Sequence, residues 1–477
     1  MSLASAGPCD RAIATAAAGG STTHPRGTLA ATILGSSLAF IDGSVVNVAL
    51  PALARDLHAG PAALSWTINA YLLPLGALIL LGGGAGDHFG RRRLFLVGLA
   101  LFVLASIACA LAPSLAWLLA ARGAQGVGAA MLMPNSLAIL GAAFEGDERG
   151  KAIGTWAAAG ALAGALGPLL GGWLVDTVGW RTIFLINVPV GLAAGFLAWR
   201  YVAETHEGRN SPLDWRGAAL ASVSLGLMVW ALTAWSAATH GWAAPAAGAL
   251  VGLALMVGFI AWELHLGDHA LMPPAMFATR TFTGLTLLTF FLYASLGGLL
   301  VLLPYLLIQV EHWSALQAGA ALLPVPLVIG FGSRLMGRLT AKYGGRVPLT
   351  IGSAVVGLGF ALYAFVGHGS FSYWVDILPA TLLVATGMGI SVAPLTTTVM
   401  ASVEADHVGA ASGFNSAIAR IAGLVATALL GFVFAQNSSD GFVLAFRIAV
   451  LTGAVASAMA AACAWLLVSG GPAKKPQ

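Results

Sequence analysis

The chain has 477 residues, of which 58% are hydrophobic and only 8% charged, with a mean hydropathy of +0.88 and a formal charge of +4. Soluble domains carry about 25% charged residues, so a soluble enzyme is excluded and an integral membrane protein indicated. The surplus Lys and Arg sit in short loops between apolar runs rather than in a continuous stripe, which argues against nucleic acid as a partner and for membrane lipid.

Residues 1–26 lack the basic-then-apolar order of a signal peptide and read as a disordered cytoplasmic tail. About 20 apolar residues cross a hydrocarbon core. Runs of that length lie near 27–50, 64–86, 93–112, 115–142, 151–175, 181–200, 217–237, 245–265, 281–308, 315–336, 347–367, 373–400, 409–435 and 445–468, fourteen in all. An even count places both termini on one side. The loops on that side, with the tails, hold seventeen of the 22 Lys and Arg; the other side holds Arg55, Arg181 and Arg447. The positive-inside rule therefore makes both termini cytoplasmic.

In the first span, "AFIDGSVVNVALP" buries Asp42 at a cost of about 3 kcal/mol even on a lenient insertion scale. The run ends about eight residues further on, roughly 12 Å at 1.5 Å per residue. Arg122 lies seven residues into span four from the same side, at similar depth, and can be its partner. Burial favours a neutral acid, and a nearby guanidinium favours the carboxylate. A group balanced between the two takes up and releases a proton when its partner moves; a permanent structural ion pair is the alternative. Asn69 in span two, Gln125 and Asn135 in span four, and Asn415 and Arg420 in span thirteen are further polar groups at membrane depth. Such groups face a bundle interior, where they line a substrate cavity or bond a neighbouring helix.

The loop "GGAGDHFGRRR" after span two holds Gly83, Asp87, Gly90, Arg91 and Arg92. In span five, Gly160, Gly164, Gly167, Pro168, Gly171 and Gly172 recur at spacings of three and four and flatten a helix face for close packing, while Pro168 removes a backbone hydrogen bond. Trp66, Trp117, Trp173, Trp180, Trp313 and Trp374 near the outer ends form an interfacial belt. Cys9, Cys109 and Cys463 lack metal-ligand spacing, no histidine lies inside a span, and no Walker loop is present. No metal or cofactor is expected beyond protons as the coupling ion.

Two segments repeat. "EGDERGKAIG" (145–154) aligns with "EADHVGAASG" (404–413), and "GGAGDHFGRR" (83–92) with "GRLTAKYGGR" (337–346), both offset by eight spans. Six-span halves separated by two inserted spans account for the offset, and parallel repeats of this kind are a transporter architecture. The boundaries are a tail 1–26, an N-terminal six-helix bundle 27–202, a linker 203–280 with two extra helices, a C-terminal six-helix bundle 281–468, and a tail 469–477. The second copy of the loop has Ala341 where Asp87 stands.

"GGAGDHFGRRR", "RGAQGVGAA" (122–130) and "GALAGALGPLLGGWL" (160–174) resemble the loop, helix-four and antiporter motifs of the major facilitator superfamily, with Ala85, Gly86 and His88 departing from the usual loop pattern. Taken with "SWTINAYLL", "WRTIFLINVPVG" and fourteen spans, the chain resembles the superfamily's drug:proton antiporter branch of EmrB and QacA type. The resemblance implies an all-α major facilitator fold in a bacterial plasma or inner membrane. It implies export of amphiphilic or cationic small molecules through proton coupling at Asp42 and Arg122. It further implies a cytoplasmic latch in which Asp87 braces helix thirteen near Gly409 and Arg91 meets Glu145 or Asp147, and a helix five that seals the halves. The expected unit is a monomer, with partner export proteins left open. Nutrient symport, or a non-transporting lipid- or ligand-binding role on the same scaffold, are the competing readings.

Overall fold

The computed structural model describes residues 24–470 apart from 145, 206–213, 237–240, 268–269, 271–273, 367–371, 404–407 and 437. The expected tail at 1–23 and most of the one at 469–477 lie outside the described residues. The helices are α1 (Pro25–Asp56), α2 (Pro61–Phe89), α3 (Arg91–Ala110), α4 (Leu115–Ala143), α5 (Gly146–Thr177), α6 (Thr182–Tyr201), α7 (Trp215–Ser236) and α8 (Ala243–Leu266). There follow α9 (Arg280–Gln309), α10 (Ala315–Ala321 and Pro324–Tyr343), α11 (Arg346–Tyr363), α12 (Tyr373–Ala401), α13 (Val408–Leu429 and Gly431–Phe434) and α14 (Ser439–Leu467). Thirteen spans are long and apolar enough to cross a bilayer, and α2, bent by 53° between Ile79 and Leu81, makes the fourteenth.

Helices overrun the apolar runs because capping and propensity, not hydrophobicity, set their ends. α1 and α2 open on prolines, whose missing N–H costs nothing in a first turn. α14 starts at Ser439, six residues before its apolar run, because the Ser438 hydroxyl accepts from the Gly441 N–H. Between α2 and α3 the chain turns at Gly90, whose φ of +105° suits glycine.

The repeat of eight is carried by packing. α1 packs on α5 and α6 as α9 packs on α13 and α14; α4 packs on α2 and α3 as α12 packs on α10 and α11; α3 meets α6 as α11 meets α14. The halves meet through α2 with α13 and, by the same symmetry, α10 with α5, while α1 meets α9. His58 after α1 and His312 after α9 both adopt left-handed backbone, a further echo at equivalent turns. The inserted α7 and α8 pair with each other, and α7 lies along α2 and α13.

With fourteen spans, the start of α1 and the end of α14 lie at one end of the bundle; the opposite end is called distal. There one apolar core joins the halves, with Leu50, Leu53 and Leu64 packed among the residues that include Leu303, Leu306 and Leu322. Apolar side chains such as Leu250, Phe331 and Leu466 cover the outer surface, as expected where hydrocarbon is the solvent. Of the tryptophans expected in a belt, Trp117, Trp173 and Trp374 are exposed, whereas Trp180 is buried and donates to Asp56 at 2.9 Å.

Candidate functional site

Asp42 lies 14 residues before the distal end of α1, about 21 Å along the axis, and is fully buried. Arg122 and Gln125 sit three apart on α4, hence on one face, and that face meets α1. The Arg122 guanidinium pairs with Asp42 Oδ2 and donates to Gln125 Oε1 at 3.0 Å. Its Nε donates to the Thr67 carbonyl at 3.2 Å, and the group stacks over Tyr71 at 4.4 Å with Phe184 at 5.8 Å. Gln125 Nε2 donates to Asp42 Oδ1 at 3.2 Å and to Ser106 at 2.8 Å, and Asn187 Nδ2 donates to Asp42 Oδ1 at 3.3 Å and to Ser106 at 3.2 Å. Three donors thus converge on one carboxylate, which satisfies its ionised form in a low-dielectric setting. The two aromatic faces favour the cation further.

Gln125, expected to line a cavity or to bond a neighbouring helix, bonds its neighbours within this closed network. Asn187 and Ser106 were not singled out by the sequence. Neutral polar residues are common in helices, and only the "INVP" context of Asn187, beside the helix break at Ile186, hinted at a role. Asn69 accepts from Thr427 across the α2–α13 seam, while its Nδ2 has no partner among the described residues. Asn135 Nδ2 donates to the Gly82 and Met131 carbonyls at 2.9 and 2.8 Å, tying α4 to α2. Asn415 accepts from Thr289 at 2.6 Å, tying α13 to α9. Arg420, half-buried on α13, has its Cβ against Gly76 of α2.

Across the turn between α2 and α3, Asp87 near the end of α2 pairs with Arg91 at the start of α3, at 2.7 Å. The partners expected from the resemblance, Glu145, Asp147 and the α13 end near Gly409, lie outside the described side chains. Arg92 donates to the Trp199 carbonyl at 2.7 Å. The Arg92 and Arg93 backbone N–H groups donate to Glu204 at 3.0 and 3.1 Å, so a carboxylate from beyond α6 caps α3. A Cβ at Gly83 would meet Pro134 only at an ordinary contact distance of 3.4 Å, and the close approach of α2 to α4 falls instead at Gly82 and Gly86.

The α5 set divides between two faces. Gly160, Gly167 and Gly171 abut Phe40, Ser44 and Val45 of α1, inside one half. Pro168 and Gly172 abut Gly319 and Ala315 of α10, across the halves, whereas a side chain at Gly164 would meet nothing within 4 Å. Beside this contact Asp176 accepts the Ala315 and Leu316 N–H groups at 3.1 and 2.8 Å. Ser314 and Gln317 complete a capping box. A carboxylate of one half thus caps a helix of the other, and the distal end is closed.

The matching pairwise packing of α1–α6 and α9–α14, joined at two symmetric seams, is the arrangement that the comparisons with known proteins reproduce. The Major Facilitator Superfamily model matches residues 32–427. The chain belongs to this superfamily, whose members are transporters and not enzymes. It is 35% identical over 414 residues to the multidrug resistance protein Stp of Mycobacterium tuberculosis, covering 86% of this chain and 75% of that one. It is 31% identical over 444 residues to the methylenomycin A resistance protein of Bacillus subtilis, covering 91% and 93%. It is 35% identical over 412 residues to the cephamycin export protein CmcT of Amycolatopsis lactamdurans, covering 84% and 83%. Among solved structures, a bacterial homologue of the human lysosomal transporter Spinster, inward-facing and occupied, superposes with a TM-score of 0.67 at 16% identity over 94% of this chain and 97% of that one. This superfamily protein is thus a multi-pass membrane protein with two six-helix bundles and two inserted helices.

Proposed function

We propose that this superfamily protein is a proton-driven exporter of amphiphilic small molecules that works by alternating access. The relatives named for drug resistance and export support the cargo class and direction. The excess of Lys and Arg on the termini side supports cytoplasmic termini, and hence a distal end that faces outward.

The observation that carries proton coupling is the isolated, fully buried Asp42–Arg122 pair with its neutral donors Gln125 and Asn187. In the distal-closed state Arg122, Gln125 and Asn187 all contact the Asp42 carboxyl group. Its protonation would remove the charge that holds Arg122, so proton uptake and separation of the pair are one event. When α5 and α10 part, α1 shifts with α5, because Gly160, Gly167 and Gly171 lock the two together. Opening and access of protons to Asp42 are thereby linked. A proton moving inward supplies about 2.3 kcal/mol per 100 mV, enough to oppose a tenfold gradient of a neutral cargo.

The test is dye efflux from inverted vesicles or cells under an imposed pH gradient. Asp42→Asn is expected to abolish gradient-driven efflux while leaving the protein folded and inserted. Full gradient-driven efflux in that variant would refute the coupling role.

A further inference from the structure

Among the arginines whose side chains are described, three lie well inside spans: Arg122, Arg420 and Arg447. Arg122 is matched by Asp42. Arg447 directs Nε and Nη2 to the Val366 carbonyl just past the end of α11, at 3.2 and 3.0 Å, where the helix dipole is negative. Arg420 has neither kind of partner: it makes no hydrogen bond or ion pair with any described residue. It sits 12 residues into α13, about 18 Å from the helix start and so near the membrane midplane. Asp42 is the only carboxylate in the interior of a described span, since Glu263 lies three residues from the end of α8. At membrane depth a guanidinium stays charged and is costly without a counter-charge.

The position of this cation is informative. Arg420 faces the α2–α13 seam between the halves, where Gly76 makes room for it. It lies near enough to Tyr71 and Tyr293 to act on both electrostatically. Tyr71 is the residue whose ring carries Arg122. Seven residues along α2 from Gly76, two turns toward the distal end, Asn69 Nδ2 is a second buried donor without a partner among the described residues. Among the described residues, Asn69 Nδ2 and Arg420 leave an unpartnered donor and a cation along this seam, the reverse of a site for organic cations.

We propose that Arg420 receives an anionic group of the cargo, so that the exporter selects amphiphiles bearing a carboxylate or phosphate. Resting on the export reading above, this narrows its substrate class from amphiphilic small molecules to those that bear an anionic group, against the cationic compounds that the resemblance also implied. The anion compensates Arg420 only while it is bound in the seam. The cargo's apolar body then lies among the helices, with the Tyr71 ring between the cargo charge and the proton pair.

The experiment uses the full-length protein in nanodiscs of phosphatidylcholine at neutral pH. Three fluorescent probes share a dansyl-labelled twelve-carbon chain and end in a carboxylate, a primary amide or a quaternary ammonium. The unmodified protein should bind the carboxylate about tenfold or more tightly than the other two, the advantage of a hydrogen bond to a charged group. Arg420→Gln should erase the difference, and Arg420→Lys should keep part of it. Equal affinities in the unmodified protein, or a preference that survives in Arg420→Gln, overturn the proposal. The first of these needs no variant, so poor folding of Arg420→Gln cannot shelter it. Adding phosphatidylglycerol separates cargo from lipid. Unchanged carboxylate affinity supports a cargo site, and a loss confined to the protein with Arg420 intact assigns the charge to a lipid headgroup and overturns it. Binding is read without transport. A charge preference without pH-driven efflux would sink the export reading alone, and pH-driven efflux without a charge preference would sink this inference alone.

Discussion

Substituting Gly172 by Ala tests how the distal end is closed. A Cβ at this position would lie 2.5 Å from the Ala315 carbonyl carbon and 2.6 Å from Leu316 Cα. Both are backbone atoms of a capped helix end, so they cannot rotate away as a side chain would. Restoring van der Waals contact requires α5 and α10 to part by about 1 Å, which also stretches the Asp176 hydrogen bonds to Ala315 and Leu316. Overpacking of this kind costs about 1–3 kcal/mol. Charged to the distal-closed state alone, it shifts the ratio of closed to open molecules by about 5- to 150-fold. Spin labels at Val178 and Trp374, both exposed near the distal end and on opposite halves, report the change as a longer component in the distance distribution. Gly164→Ala is the control within the same motif: its Cβ would meet nothing within 4 Å, so the distribution should not move. Identical distributions for Gly172→Ala and the unmodified protein, or equal shifts in the two variants, would refute the division of α5 into separate faces.

Three other outcomes are expected. Asp176→Asn removes the negative charge at the start of α10 and should weaken the same closure by about 0.3–1 kcal/mol, a smaller shift in the same distance measurement. Asn187→Ala deletes a donor to the Asp42 carboxylate and should cost about 1.5–3 kcal/mol, read as a lower thermal unfolding midpoint in detergent; an unchanged midpoint would mean that the contact does not stabilise the site. Gly90→Ala places a side chain on backbone with φ of +105° and a Cβ 2.6 Å from the Glu204 carboxylate, and should destabilise the α2–α3 turn by about 1–3 kcal/mol in the same assay.

The sequence alone determined the membrane setting, the number of spans and the twofold repeat, because bilayer thickness dictates the length of each apolar run and a duplicated half repeats its spacing. It also required a partner for Asp42, since the cost of a buried carboxylate is local and independent of how the helices are arranged. Which groups meet that requirement was a tertiary matter. Gln125, Asn187 and Ser106 resemble any neutral polar residue in a helix until the rotation of α3, α4 and α6 about their axes aims them at one point. The same holds for Asp176, which caps a helix start 139 residues away, and for the α5 glycines, whose spacing predicts a flat surface without saying which helix covers it. Arg420 is the sharpest instance: its charge is written in the chain, but that no described residue beside it neutralises that charge depends on what α2 and α9 place next to α13. Local costs can be read along one dimension, whereas their compensation depends on distances between helices that residue spacing does not encode.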